Sequence, residues 1–127
     1  MLKSIRGAIT CDNNSKSDII NNTAQLLNTI ISANKLSKED IVCIFFSCTS
    51  DLDEAYPAVA ARQLGFTDIG LMCFQEMEVK NSLKKCIRVM LLVNQKRQSK
   101  VIHVYLRKAE KLRPDLKFND ILQKEKD

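Results

Sequence analysis

Cys86-Ile87-Arg88-Val89-Met90-Leu91-Leu92-Val93 reads as a β-strand with an arginine in its middle. Seven of its eight residues are apolar, too many for a strand with one wet face. The run therefore predicts a strand, and with it Arg88, buried on both sides. A guanidinium cannot shed its charge by losing a proton. Left unpaired among apolar groups, it would cost on the order of several kcal/mol. An anion must meet Arg88, and the identity of that anion decides the chemistry.

Working outward, residues 41–48, IVCIFFSC, form a second unbroken run of strand length. Residues 2–10, around Arg6-Gly7, 69–74 and 101–106 complete a set of about five strands. Ser15 with Asp18 three residues on forms a capping-box pattern. Behind it Ile19, Ile20, Leu26, Leu27, Ile30 and Ile31 make one stripe at helical spacing. Pro57 sits near the first turn of a short helix over 58–64, which Gly65 ends. The fold class is α/β in the α+β sense, a mixed sheet with one long helix and short ones. One long helix covers one face of such a sheet. The second face must also be covered, most cheaply by other copies of the chain, so an oligomer is expected.

The 127 residues make a single domain, assigned to 1–116, followed by a charged, flexible tail over 117–127. A hydrophobic fraction of 45% with 28% charged residues is ordinary for a water-soluble domain. No run has the length of a membrane span, and the first residues lack the pattern of a signal peptide. The odd count of five cysteines then fits reduced thiols and a cytoplasmic location. Charge is uneven, a net −4 over residues 1–78 and +9 over 79–127. Such a basic half suits either a solvated face or an anionic partner. Nucleic acid fits poorly, because Tyr105 alone makes a weak stacking platform.

There is no GxGxxG, Walker A, CxxC or HExxH pattern, and His103 is the only histidine. Cys43 and Cys48 read as core thiols. What remains is a set of charged groups embedded in apolar sequence: Arg6, Glu76, Arg88 and Arg113, with Tyr105. Residues alone leave two readings of this set, an internal ion-pair network that fixes register or a pocket for a small anion.

Ile5-Arg6-Gly7-Ala8, Asp51-Leu52, Tyr56-Pro57-Ala58 with Arg62, and Cys73-Phe74-Gln75-Glu76-Met77 follow in order. Leu83-Lys84-Lys85-Cys86-Ile87-Arg88-Val89-Met90, His103-Val104-Tyr105-Leu106 and Leu112-Arg113-Pro114-Asp115-Leu116 complete the series. Together these blocks resemble the AroH class of monofunctional chorismate mutases, over about residues 3–116. The resemblance implies a homotrimer forming a pseudo-α/β-barrel, with sites at the subunit interfaces. It implies a Claisen rearrangement of chorismate to prephenate in aromatic amino acid synthesis, with no cofactor, metal, nucleic acid or membrane involved.

By the same resemblance Arg88 stabilises charge on the breaking ether oxygen. Arg6 and Tyr105 bind the enolpyruvyl carboxylate, and Glu76 accepts the ring hydroxyl. Cys73, with Met72 beside it, also contacts that hydroxyl. Tyr56, Ala58 and Arg62 reach in from a neighbouring subunit. Arg62 and Arg113 attract the ring carboxylate, and the turn from Leu112 to Leu116 covers the site. Val59 stands where relatives carry Lys, Tyr56 for Phe, Met72 for Thr, and Asn81-Ser82 for a Gly pair. The alternative is a non-catalytic trimeric protein of similar fold that binds a small carboxylate.

Overall fold

The computed structural model describes residues 1–96 and 99–116. The tail expected from residue 117 on lies outside them. The elements in chain order are β1 (Leu2–Thr10), α1 (Lys16–Ala33), β2 (Ile41–Cys48), α2 (Ala58–Gln63), β3 (Gly70–Gln75), β4 (Cys86–Asn94) and β5 (Val104–Tyr105). Short 3-10 turns occupy Lys38–Asp40, Arg107–Leu112 and Pro114–Leu116. The strands form one sheet in the order β3-β2-β4-β1-β5. The three central strands pair antiparallel, and both edge strands lie parallel to their neighbours.

Register explains the long apolar runs. Leu91 of β4 lies opposite Ile5 of β1 and Ile44 of β2, and Val89 lies opposite Gly7 and Phe46. These residues share one face with Ile9, Ile87 and Val93, and all are buried. Helix α1 packs its apolar stripe there through Ile19, Leu26, Leu27 and Ile30. The helix begins at Ser15, whose hydroxyl accepts from the Asp18 backbone N–H at 3.1 Å. Asp18 turns its own carboxylate to the Asn13 N–H, two residues ahead of the cap.

The alternate residues form the opposite face: Arg6 and Ala8 of β1, Phe45 and Ser47 of β2, Met72 and Phe74 of β3, and Arg88 and Met90 of β4. Among the described residues, only its end near β5 is covered. There the turn Arg107–Leu112 folds back, and Ala8, Cys86, Tyr105 and Ala109 make a second small core with Leu83 and Leu112. The rest stands open, with Met72 56%, Phe74 50% and Met90 37% exposed. The expectation that β2 and β4 are buried on both faces is therefore corrected for the single chain. One long helix shields one face only, as its size dictates.

β5 is shorter than expected, two residues in place of six. Side chains have taken over the pairing of the residues before it. Buried Asn34, at the end of α1, donates to the Ile102 carbonyl and accepts the Ile102 N–H at 2.8 Å. The Arg6 N–H, which would meet a strand carbonyl, donates at 2.9 Å to Nδ1 of His103.

Close packing leaves β1 no room where it passes under α1. A Cβ built on Gly7 would lie 2.7 Å from the Val104 carbonyl oxygen and 2.9 Å from Cδ1 of Ile30. The first contact is backbone and cannot swing away. Gly7→Ala should lower stability by about 1–3 kcal/mol in a urea titration, and an unchanged midpoint would contradict this packing.

Candidate active site

The open face carries a cleft of about 310 Å³ where β1, β4, β2 and β5 meet the C-terminal turns. Arg6 and Arg88 line it from strands, with Phe45, Ser47 and Phe74. Tyr105, Leu112 and Arg113 close the end beside β5. Arg88 holds its place because β4 is a central strand, bonded on both sides. Its start is pinned as well. The Asp51 carboxylate accepts the Lys85 N–H at 2.9 Å, and the Thr49 hydroxyl accepts the Cys86 N–H at 3.0 Å. The Asp51-Leu52 block of the sequence thus serves to set the strand that presents the arginine.

Arg88 is not buried. Its side chain is 46% exposed, and its Nε lies 3.6 Å from Oε2 of Glu76. This corrects the sequence expectation of a guanidinium sealed in apolar surroundings: the arginine points to the uncovered face. Glu76 follows β3 and is fixed by its backbone N–H, which donates to the Cys48 carbonyl at 2.8 Å. Its Oε2 also accepts the hydroxyl of Ser47 at 2.6 Å. One carboxylate oxygen therefore has two partners. A pair this open to water adds little to stability, so its position says more about chemistry than about folding.

The remaining expected residues divide in two. Arg6, Glu76, Arg88, Tyr105, Leu112 and Arg113 come together in or beside this cleft. Tyr105 is 6% exposed, its ring in the small core with Ala8 and Ala109. Arg113 is held by Asp115 through Nε at 3.3 Å and Nη2 at 3.1 Å. That bidentate bond raises the Arg113 pKa and lowers that of Asp115. Met72 stands on the same face, two strands over from Met90 with Phe45 between them.

Cys73, Tyr56, Ala58 and Arg62 are not part of this cleft. The Cys73 side chain lies on the helix side of the sheet, packed against the main core. Ala58 is 4% exposed and belongs to that core. Tyr56 is 71% exposed, and Arg62 projects from α2. Tyr56 and Cys73 border a second cleft of about 490 Å³, and Phe74 stands between the two clefts. Ser47, Phe45 and Phe74 line the site without having stood out in the sequence. Ser47 had a signal, as the one hydroxyl in IVCIFFSC, but which face it takes depends on register.

Cys11, Cys48 and Cys86 are poor nucleophiles. Burial pushes Cys48 up to about 12 and Cys11 and Cys86 up to about 11. They stay protonated near neutrality, since the thiolate is the reactive form.

The comparisons with known proteins agree with one another. The family model described as chorismate mutase type I matches residues 2–116. The chain is 44% identical over 118 residues to the chorismate mutase AroH of Bacillus subtilis, covering 91% of this chain and 93% of that protein. It is 42% identical over 118 residues to the chorismate mutase AroH of Thermus thermophilus, covering 91% and 97%. In solved structures, a chorismate mutase from Clostridium thermocellum superposes with a TM-score of 0.83 at 45% identity, over 85% of this chain and 97% of that one.

His103 ties this site to pH. Its pKa is lowered, first by burial and then by the nearby guanidiniums of Arg6 and Arg113. The folded state therefore favours the neutral ring, whose Nδ1 accepts the Arg6 N–H. Stability from this group is complete above the ordinary value of 6.5 and is lost as pH falls below it. Urea midpoints from pH 8 down to pH 5 should show this acid loss, and His103→Gln should shrink it. An equal loss in the variant would exclude His103 as its source.

Proposed function

Since this chain belongs to the chorismate mutase type I family, an enzyme family that rearranges chorismate to prephenate, we propose that its cleft performs this reaction by restraint and electrostatics, with Arg88 at its centre. The carrying observation is the pair of strand-borne guanidiniums, Arg6 and Arg88, lining one cleft beside Glu76.

Chorismate is a dianion whose side chain must fold over its ring before the new C–C bond can form. The reaction is intramolecular, so the protein need supply neither a second reactant nor a nucleophile. Holding the folded conformer removes an entropic part of the barrier. Arg6 and the hydroxyl end of Tyr105 take the enolpyruvyl carboxylate. Arg113 draws the ring carboxylate toward the turn that covers the cleft. Glu76 accepts the hydrogen bond of the ring hydroxyl, which orients the ring against Phe74.

As the ether C–O bond lengthens ahead of C–C closure, electron density collects on the oxygen. A cation fixed near that oxygen binds the transition state more tightly than the substrate, which is the requirement for catalysis. Arg88 meets it because its strand is central and its charge is permanent. Excluding water lowers the local dielectric and strengthens the interaction. In the single chain Arg88 is still half exposed.

That exposure supports a second part of the reading. The apolar open face, with Met72, Phe74 and Met90, calls for a cover. We place further copies of the chain there, as a homotrimer in the cytoplasm, with Tyr56, Arg62 and the backbone at Ala58 of one subunit facing the cleft of the next. Arg62 then shares the ring carboxylate with Arg113, where relatives use a lysine at the position of Val59. Cys73 contributes through its backbone, since its sulfur faces the core. The rearrangement itself needs no cofactor.

Purified protein should consume chorismate and form prephenate far above the buffer rate, followed by loss of chorismate absorbance and detection of prephenate. Arg88→Lys keeps the charge and loses the aim of the guanidinium. It should lower kcat by about 10²–10³-fold. A loss within about tenfold would show that Arg88 is not the group that stabilises the ether oxygen.

A further inference from the structure

Ser47 and Arg88 stand opposite each other across β2 and β4. Both reach the same atom: Oγ of Ser47 donates to Oε2 of Glu76 at 2.6 Å, and Nε of Arg88 lies 3.6 Å from it. Neither contact involves Oε1. The Glu76 backbone is anchored in turn, its N–H donating to the carbonyl of Cys48, the residue after Ser47. The glutamate is thus fixed at its main chain and at one carboxylate oxygen.

A serine hydroxyl has a single proton to give, and in this cleft it goes to Glu76. Ser47 is half-buried, lines the cleft and is the one hydroxyl residue of β2. A strand position facing an apolar sheet surface does not need a hydroxyl for packing. Its use is to choose which oxygen of the carboxylate is occupied.

We propose that Ser47 is a positioning residue. It locks Oε2 of Glu76 and so presents Oε1 as the acceptor for the ring hydroxyl of the substrate. The inference rests on the reading that Glu76 accepts that hydroxyl. A glutamate side chain has three rotatable bonds, and Arg88 alone holds it loosely at 3.6 Å. With Ser47 in place the acceptor is set before the substrate arrives, so less ordering remains for binding to impose.

The experiment compares Ser47→Ala, Ser47→Thr and Glu76→Gln on two substrates, chorismate and an analogue lacking the ring hydroxyl. Ser47→Ala should lower kcat/KM for chorismate about tenfold, the effect of one lost hydrogen bond to a charged group. On the analogue its loss should vanish, because no hydroxyl awaits Oε1. Ser47→Thr keeps the hydroxyl and should stay close to the native rate on chorismate. Equal losses for Ser47→Ala on both substrates would show a merely structural serine and overturn the proposal. An unchanged rate on chorismate would overturn it too. Glu76→Gln separates the two layers, since it should lose more on chorismate than on the analogue. If it does not, the hydroxyl reading of Glu76 falls and the Ser47 proposal with it. If it does, while Ser47→Ala loses equally on both, only the Ser47 proposal falls.

Discussion

The structure turns on a permanent cation carried by the central strand of a sheet that, among the described residues, has one long helix to cover it. Arg88 cannot neutralise, and β4 cannot move, because it is paired along its length with β1 and β2. The helix-side face takes the apolar residues Ile87, Val89, Leu91 and Val93, all buried. Arg88 falls on the other face by simple alternation. Everything around it answers that placement. Glu76 supplies a counter-charge from the end of β3, the turn Arg107–Leu112 closes one end of the cleft, and the apolar residues beside it wait for a cover.

The charges in the cleft are unequal in number, and the imbalance suits the chemistry. Arg6, Arg88 and Arg113 border it, and Glu76 is the carboxylate paired to Arg88. Arg113 already has Asp115. Three guanidiniums against Glu76 and Asp115 leave a net positive charge on the open face, which suits an anionic substrate. A guanidinium tightly engaged by a carboxylate has less of its field left for a ligand. The 3.6 Å spacing of Arg88 from Glu76 leaves its guanidinium only partly engaged.

Much of this was legible in the sequence. Apolar runs and caps place β1, β2, β4 and α1, because each carries a period or an unbroken length that competing structures do not satisfy. β3 is displaced by one residue, as strand ends often are. β5 is cut short for a reason no periodicity records: Asn34 and His103 occupy the hydrogen bonds that the strand would have made. The two-faced apolar pattern did not record that one face stays open in the single chain, and so misplaced Arg88 as buried. Arg6, Glu76 and Arg88 stood out as charges in apolar surroundings. Ser47 did not, since its importance comes from lying opposite Arg88, and opposition across strands is set by register.

An open apolar face beside a half-exposed arginine is the strongest physical argument that each site is completed by a second copy. In the proposed trimer every cleft has two owners, Arg88 from one subunit and Arg62 from another. Arg88→Ala and Arg62→Glu chains, each impaired alone, can be unfolded together and refolded as mixed assemblies. Random mixing gives an intact pairing at about a quarter of the sites. Chorismate turnover in that mixture should rise toward about a quarter of the native rate. Activity no greater than the average of the two variants measured separately would contradict a site shared between subunits.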